Sequence, residues 1–333
     1  MTNKREVILY FPWEMEYIVI PFSQLEDMIC SNANKKVVIF NPEEHGTFNY
    51  ELMDARPAIE ELCKEHNVTL EFWLGDFGFN ELESSHIKFI NWPLFLLYST
   101  VTTTDAIYQD EKSIDRLGIT LNNIGHDYRC QFIDTLEKYK LLDEMYYSWH
   151  NEGVPSEFEF KYFQPRVVRL EEDDLNIPEG WNQYHVPKAF HKGLIHIINE
   201  STVDKLDISE KTWSCVIHKK PFIIAGATNI HSVLKELGFK LYEDLFDYSF
   251  DANEDYNQRL ESIAMQVKAL QGKDYQAVYN SQLETIEFNY NRLMEIFNNN
   301  IGVPDQLYDY INQTNYTTAP IYQAVLDNKK KME

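Results

Sequence analysis

The sequence predicts an α/β fold: two domains, each with a mainly parallel sheet and crossover helices, followed by helices at the C-terminus. Three observations carry that reading. Short β-branched runs alternate with helical patterns up to about residue 254, and such alternation implies parallel strands joined by crossovers. A polar, charged stretch over residues 105–118 interrupts the alternation and marks a boundary. The 333 residues suffice for two domains of ordinary size, each with its own core. The expected division is 1–115, 116–272 and a helical segment 273–333 packing across the other two.

Composition narrows the function classes. Hydrophobic residues make up 44% and aromatics 14%, as in a folded globular chain. The formal charge is −23, from 53 acidic and 30 basic residues. That disfavours a broad electrostatic grip on DNA, RNA or an anionic membrane, although a local basic groove would escape the argument. Cys30, Cys63, Cys130 and Cys215 form no C-x-x-C pair and read as reduced, mostly buried thiols of a cytoplasmic protein. Glu6, Glu14 and Glu16 interrupt the apolar run after Lys4 and Arg5, so it does not read as a signal peptide. No apolar stretch reaches the roughly 20 residues of a membrane span. The nearest, residues 92–98, reads as a buried helix.

In the first half, strands are expected at 7–11, ending at Pro12, and at 36–40, closed by Asn41 and Pro42. A helix over 50–66 turns Leu52, Ile59 and Leu62 inward, and strands follow at 68–74 and 87–92. Ligands of such sheets sit outside the carboxyl ends of the strands. Chemistry in this half is therefore sought in the loops 41–47 and 74–79, which carry Glu44, His45 and Asp76. Any of the three could take a proton from an acceptor hydroxyl. Equally, Glu44 and His45 could be solvated loop residues and Asp76, between two glycines, a turn residue.

The second half opens with a strand at 119–121 and the loop Asn122-Asn123-Ile124-Gly125-His126. The next helix carries Phe132, Ile133, Leu136 and Tyr139 on its apolar side and Arg129 near its start. A strand–loop–helix turn is an anion-binding geometry, and Arg129 could hold a phosphate bidentately. The organising stretch is 196–226. An apolar run ends in Glu200 and Ser201, Ser209 opens a helix bearing Glu210 and Lys211, and a second apolar run stops at Gly226. Ser209 is a good N-cap, and Glu210 suits the positive helix end. Lys211 does not, unless an anion lies beside it: Glu210 in part, and a bound phosphate for the rest. The plainer alternative is a Lys211 that points to solvent. Thr228 or Asn229 is placed to cap the helix after Gly226. Helices are then expected over 256–270, 274–298, 304–313 and from 320 to the lysines 329–331.

Two blocks carry a resemblance. Leu121-Asn122, His126, Arg129, Leu141-Leu142-Asp143 and Tyr147-Ser148-Trp149 resemble the first strand and helix of the C-terminal domain in phage- and virus-encoded glycosyltransferases. Asn199-Glu200-Ser201, Ser209-Glu210-Lys211-Thr212-Trp213 and Lys220-Pro221-Phe222-Ile223-Ile224 with Gly226 resemble the donor-binding motif of that group and, more distantly, of fucosyltransferases. The likeness spans roughly residues 119–270.

What the resemblance implies is a GT-B-like protein of two Rossmann-like domains. It would move a sugar from a UDP- or GDP-linked donor to a hydroxyl acceptor. The implied donor-binding set is Asn122, His126, Arg129, Glu200, Ser201, Ser209, Glu210, Lys211 and Gly226. Lys211 and Arg129 would meet the diphosphate, the carboxylates the ribose or sugar hydroxyls. The sequence has no Asp-x-Asp triplet of the kind that holds Mg²⁺ or Mn²⁺ in metal-dependent transferases, so metal-independent transfer is expected. Three questions stay open at this point. The acceptor could be a glycan or a hydroxymethylated base in phage DNA. The altered 122–126 loop leaves room for a non-catalytic, degenerate transferase that serves as a binding module. The Tyr- and Asn-rich tail could pack on the domains or make a homodimer contact.

Overall fold

The structure, a computed structural model, describes residues 7–10, 20–42, 50–75, 83–104, 113–122, 125, 127–150, 158–170, 186–200, 202–204, 206–314 and 320–332. The chain divides into two compact units, one of Met1–Ser99 with Asn299–Glu333 and one of Thr100–Asn298. Each contains a four-stranded, all-parallel sheet flanked by helices, which is the α/β class with two Rossmann-like units expected above.

In the first unit, β1 (Val7–Tyr10), β2 (Lys36–Asn41), β3 (Thr69–Leu74) and β4 (Ile87–Asn91) lie in sequence order. The middle strands β2 and β3 are buried on both faces, as parallel strands covered by helices must be. Period-two alternation divides them. Val37, Ile39, Leu70 and Phe72 join the core cluster that includes Leu25 and Ile29 of α1 (Phe22–Ser31) and Ile59 and Cys63 of α3 (Arg56–Glu65). Phe40 meets Phe95 of α4 (Phe95–Thr103) and Tyr322 of α13 (Pro320–Met332), while Trp73 meets Tyr310 of α12 (Asp305–Thr314). The helix expected over 50–66 is broken at Ala55 into α2 (Tyr50–Asp54) and α3. Pro57 in the first turn of α3 explains the break: it has no N–H to give the carbonyl four residues back, and its ring collides with it.

In the second unit the strands are β5 (Arg116–Thr120), β6 (Met145–Tyr147), β7 (Gly193–Asn199) and β8 (Phe222–Ala225), in the order β6-β5-β7-β8. Strand order therefore reverses at β5: the chain passes first to β6 on one side, then to β7 on the other. Such a reversal opens a crevice at the carboxyl ends of the two diverging strands, here β5 and β7. Helices α5 (Asp127–Lys138), α6 (Lys188–Lys192), α7 (Glu210–Ile217), α8 (Ile230–Glu236) and α9 (Tyr256–Lys268) accompany this sheet.

The helix expected over 274–298 is two, α10 (Tyr275–Ser281) and α11 (Leu283–Asn298), separated at Gln282, whose torsions are φ −96° and ψ 0°. These two pack against β7 and α7. The Tyr279 hydroxyl donates to the Lys219 carbonyl at 2.9 Å, and Lys219 pairs with Glu287 at 2.7 Å. By contact, the C-terminal helices divide between the units at 298/299, and the units part at 99/100. The physical reason is contact: α10 and α11 finish the second sheet's cover, α12 and α13 the first's.

Candidate functional site

The last residue of β7 is Asn199, and Glu200 follows it, 3% exposed. The Ser209 hydroxyl lies 2.8 and 2.7 Å from the two carboxylate oxygens of Glu200 and donates between them. Ser209 also caps α7, its Oγ accepting the Lys211 N–H at 3.4 Å. Lys211 Nζ stands 3.3 Å from Glu200 Oε2 and 3.6 Å from Glu210 Oε1. The cation at the positive end of α7 is therefore held by two carboxylates, and Glu200 is the nearer. Burial pulls the Lys211 pKa down, but Glu210 and Glu200 more than reverse this and leave it raised, so the ammonium stays charged.

Glu200 is seated by Gly226, which follows β8. A Cβ at Gly226 would lie 3.2 Å from Glu200 Cγ and 3.2 Å from Ile230 Cδ1, so a side chain there would push the carboxylate out of place. Arg129, in the first turn of α5 and 7% exposed, feels the charges of both Glu200 and Glu210. Burial lowers its pKa, and the two carboxylates partly restore it. Two carboxylates and two cations thus share the carboxyl end of this sheet.

At the switch point itself, Asn122 and Asn199 join β5 to β7. Asn122 Nδ2 donates to the Ser148 carbonyl at 3.3 Å, which fixes the orientation of its amide, and Asn122 Oδ1 accepts from Asn199 Nδ2 at 3.0 Å. The Asn122 backbone N–H donates to Ser148 Oγ at 3.0 Å. Asn122 is employed in tying three strand ends together. Asn199 Oδ1 is the buried acceptor left without a protein partner at this junction, among the described residues.

The far wall comes from α9, which packs on α5 and β8. Arg259 donates to the Gly226 carbonyl at 2.9 Å, to Thr228 Oγ1 at 3.1 Å and to the Asn253 carbonyl. Its neighbour Tyr256 meets Tyr128 edge-on at 5.6 Å, and the Tyr128 hydroxyl donates to Asp204 at 2.9 Å. The helix after Gly226 is capped differently from the expectation. Asn229 adopts φ 64° and makes no cap, and Asp251 reaches in from elsewhere. Asp251 accepts from the backbone N–H groups of His231 and Ser232 at 3.3 and 3.1 Å. His231 Nδ1 donates to the same carboxylate at 2.7 Å while Nε2 accepts the Ile224 N–H at 3.1 Å. Burial raises the Asp251 pKa, but the His231 contact and the backbone donors overcome this and hold it below the usual carboxylate value.

Of the residues singled out from the sequence, Asn122, Arg129, Glu200, Ser209, Glu210, Lys211 and Gly226 lie around one sheet edge. Glu44, His45, Asp76, His126 and Ser201 lie outside the described residues. Asn199, Tyr256 and Arg259 were not in the candidate set. Asn199 stands at the end of an apolar run, where it could have been suspected, but nothing in the pattern of α9 distinguishes Tyr256 and Arg259. Among the described residues, no group of three or more His, Cys, Asp or Glu could hold a metal ion. No described helix is long and apolar enough to cross a membrane.

No protein-family model matches the chain. No curated protein matches it either. Among solved structures, T4 phage BGT in complex with its UDP-glucose substrate is similar over 97% of this chain and 82% of that one, with 11% sequence identity and a TM-score of 0.45.

Proposed function

We propose that the protein is a glycosyltransferase that binds a UDP- or GDP-sugar in the second unit and passes the sugar to a hydroxyl acceptor. The observation that carries this reading is the buried Glu200–Ser209–Lys211 cluster with Arg129, set at the carboxyl ends of strands around a topological switch point. Departure of a nucleoside diphosphate needs cations more than it needs a base. Lys211 is held charged and aimed by Glu200 and Glu210, and Arg129 is a buried guanidinium partly stripped of water, where a charge acts over a longer distance. Glu200, engaged by Ser209 and Lys211, positions the ammonium. Glu210, whose side chain is 19% exposed, is the carboxylate suited to accept from a ribose or sugar hydroxyl.

Transfer is read as metal-independent, because the sequence has no Asp-x-Asp triplet and Lys211 and Arg129 are placed to meet the diphosphate. The acceptor is a hydroxyl-bearing molecule. The net charge of −23 favours a small or neutral acceptor over duplex DNA. Isothermal titration with a panel of UDP- and GDP-sugars tests the proposal. The expected result is binding of one donor class that is retained in the presence of EDTA. Failure to bind any member of the panel would overturn it.

A further inference from the structure

Tyr256 opens α9, and its residue is 9% exposed. Its ring is fixed on two sides: edge-on to Tyr128 at 5.6 Å, and with the Arg259 guanidinium 5.4 Å from its centroid. The ring's packing is thus explained by the fold. The hydroxyl is not. Among the described residues it is a fully buried polar atom with no hydrogen-bond partner, which is costly unless something else completes it. α9 packs on α5, which carries Arg129, and the charges of Arg259, Arg129 and Glu200 all reach the hydroxyl. The oxygens of Glu200 are already taken up by Ser209 and Lys211. An acceptor for the phenol is left for a ligand to supply, and the two neighbouring cations, Arg129 and Arg259, favour an anionic one.

Resting on the donor-site reading above, we propose that the Tyr256 hydroxyl donates a hydrogen bond to a phosphate oxygen of the bound nucleoside diphosphate, on the Arg129 side of the cluster. Burial pushes the phenol pKa well above the usual tyrosine value, so the group keeps its proton and remains a donor. The role is one of binding and orientation: the hydroxyl would add a neutral donor to the charged groups already present.

The test compares the full chain with its Tyr256→Phe variant, using UDP and GDP as the titrated probes and the thermal midpoint of the ligand-free protein as a second readout. Removing a hydroxyl without a protein partner leaves the ligand-free midpoint unchanged or raises it. Loss of one hydrogen bond to a charged oxygen weakens diphosphate binding about tenfold. An affinity unchanged within about twofold overturns the proposal. So does a fall in the ligand-free midpoint, the mark of a structural hydroxyl. If the wild-type protein binds neither UDP nor GDP, the donor-site reading falls and this one with it. If it binds one of them and the variant binds equally well, only the role of Tyr256 falls.

Discussion

Each unit buries a glutamate beside a lysine, and the two pairs do different things. In the first unit, Glu71 lies in the middle of β3 and accepts from Lys36 Nζ at 3.1 Å, Trp73 Nε1 at 2.9 Å and the Tyr310 hydroxyl at 2.7 Å. Lys36 also donates to the Tyr310 oxygen at 3.0 Å. Every partner is supplied by the protein, and the group fastens α12 to the sheet. In the second unit, Glu200 lies just past the end of β7, beside Gly226, the start of α7, Arg129, and two buried polar atoms that the described protein does not satisfy, on Asn199 and Tyr256. Residue type does not separate them. Position does: a carboxylate in mid-strand is sealed by the fold, while one at the carboxyl edge of a reversing sheet faces a place the fold leaves for something else.

The contrast can be broken most forcefully at Glu71. Glu71→Ala leaves the buried Trp73 N–H without an acceptor, and Lys36 and the Tyr310 hydroxyl with only each other. It should cost about 3 kcal/mol in chemical denaturation, with nucleotide affinity unchanged in whatever folded protein remains. Acid should separate the units next. His196 in β7 is buried beside Cys215, and burial with the charge of Lys220 pushes its pKa down to about 3 from the usual 6.5. The folded state therefore holds it neutral, and stability present above pH 6.5 is lost progressively as pH falls toward 3. By pH 5 the loss from this group is about 2 kcal/mol. His196→Gln should flatten that part of the pH–stability curve.

Smaller effects sharpen the comparison at the edge cluster. Lys211→Ala should weaken nucleotide-sugar binding about tenfold by removing a charged donor, read by titration calorimetry. A variant that left the biological activity of the protein untouched would favour the non-catalytic reading. Gly226→Ala should cost about 1 kcal/mol by crowding Glu200 and Ile230. Its affinity for the donor should fall more than its thermal midpoint.

Much of this was visible in the residues alone. The Val- and Ile-rich runs mark β2 and β7, and the spacing of Ser209, Glu210 and Lys211 marks a capped helix start with an ill-placed cation. Pairings between distant residues were not visible. Asn122 and Asn199 are 77 residues apart, and the contact between them depends on a strand order that no local pattern encodes. Tyr256 and Arg259 look like any polar residues of an amphipathic helix until α9 is docked on β8. Glu71 reads as an interruption in an apolar strand, and its partner Tyr310 comes 239 residues later. The cap on α8 escaped for the same reason: Asp251 replaces a local Asn229 whose backbone is turned to φ 64°.

The return of Asn299–Glu333 to the first unit has a consequence for biosynthesis. A ribosome finishes Thr100–Asn298 before it makes the helices that shield Phe40 and Trp73. The nascent chain thus carries a complete second unit while one side of its earliest-made sheet still waits, oily and uncovered, for the last segment to emerge.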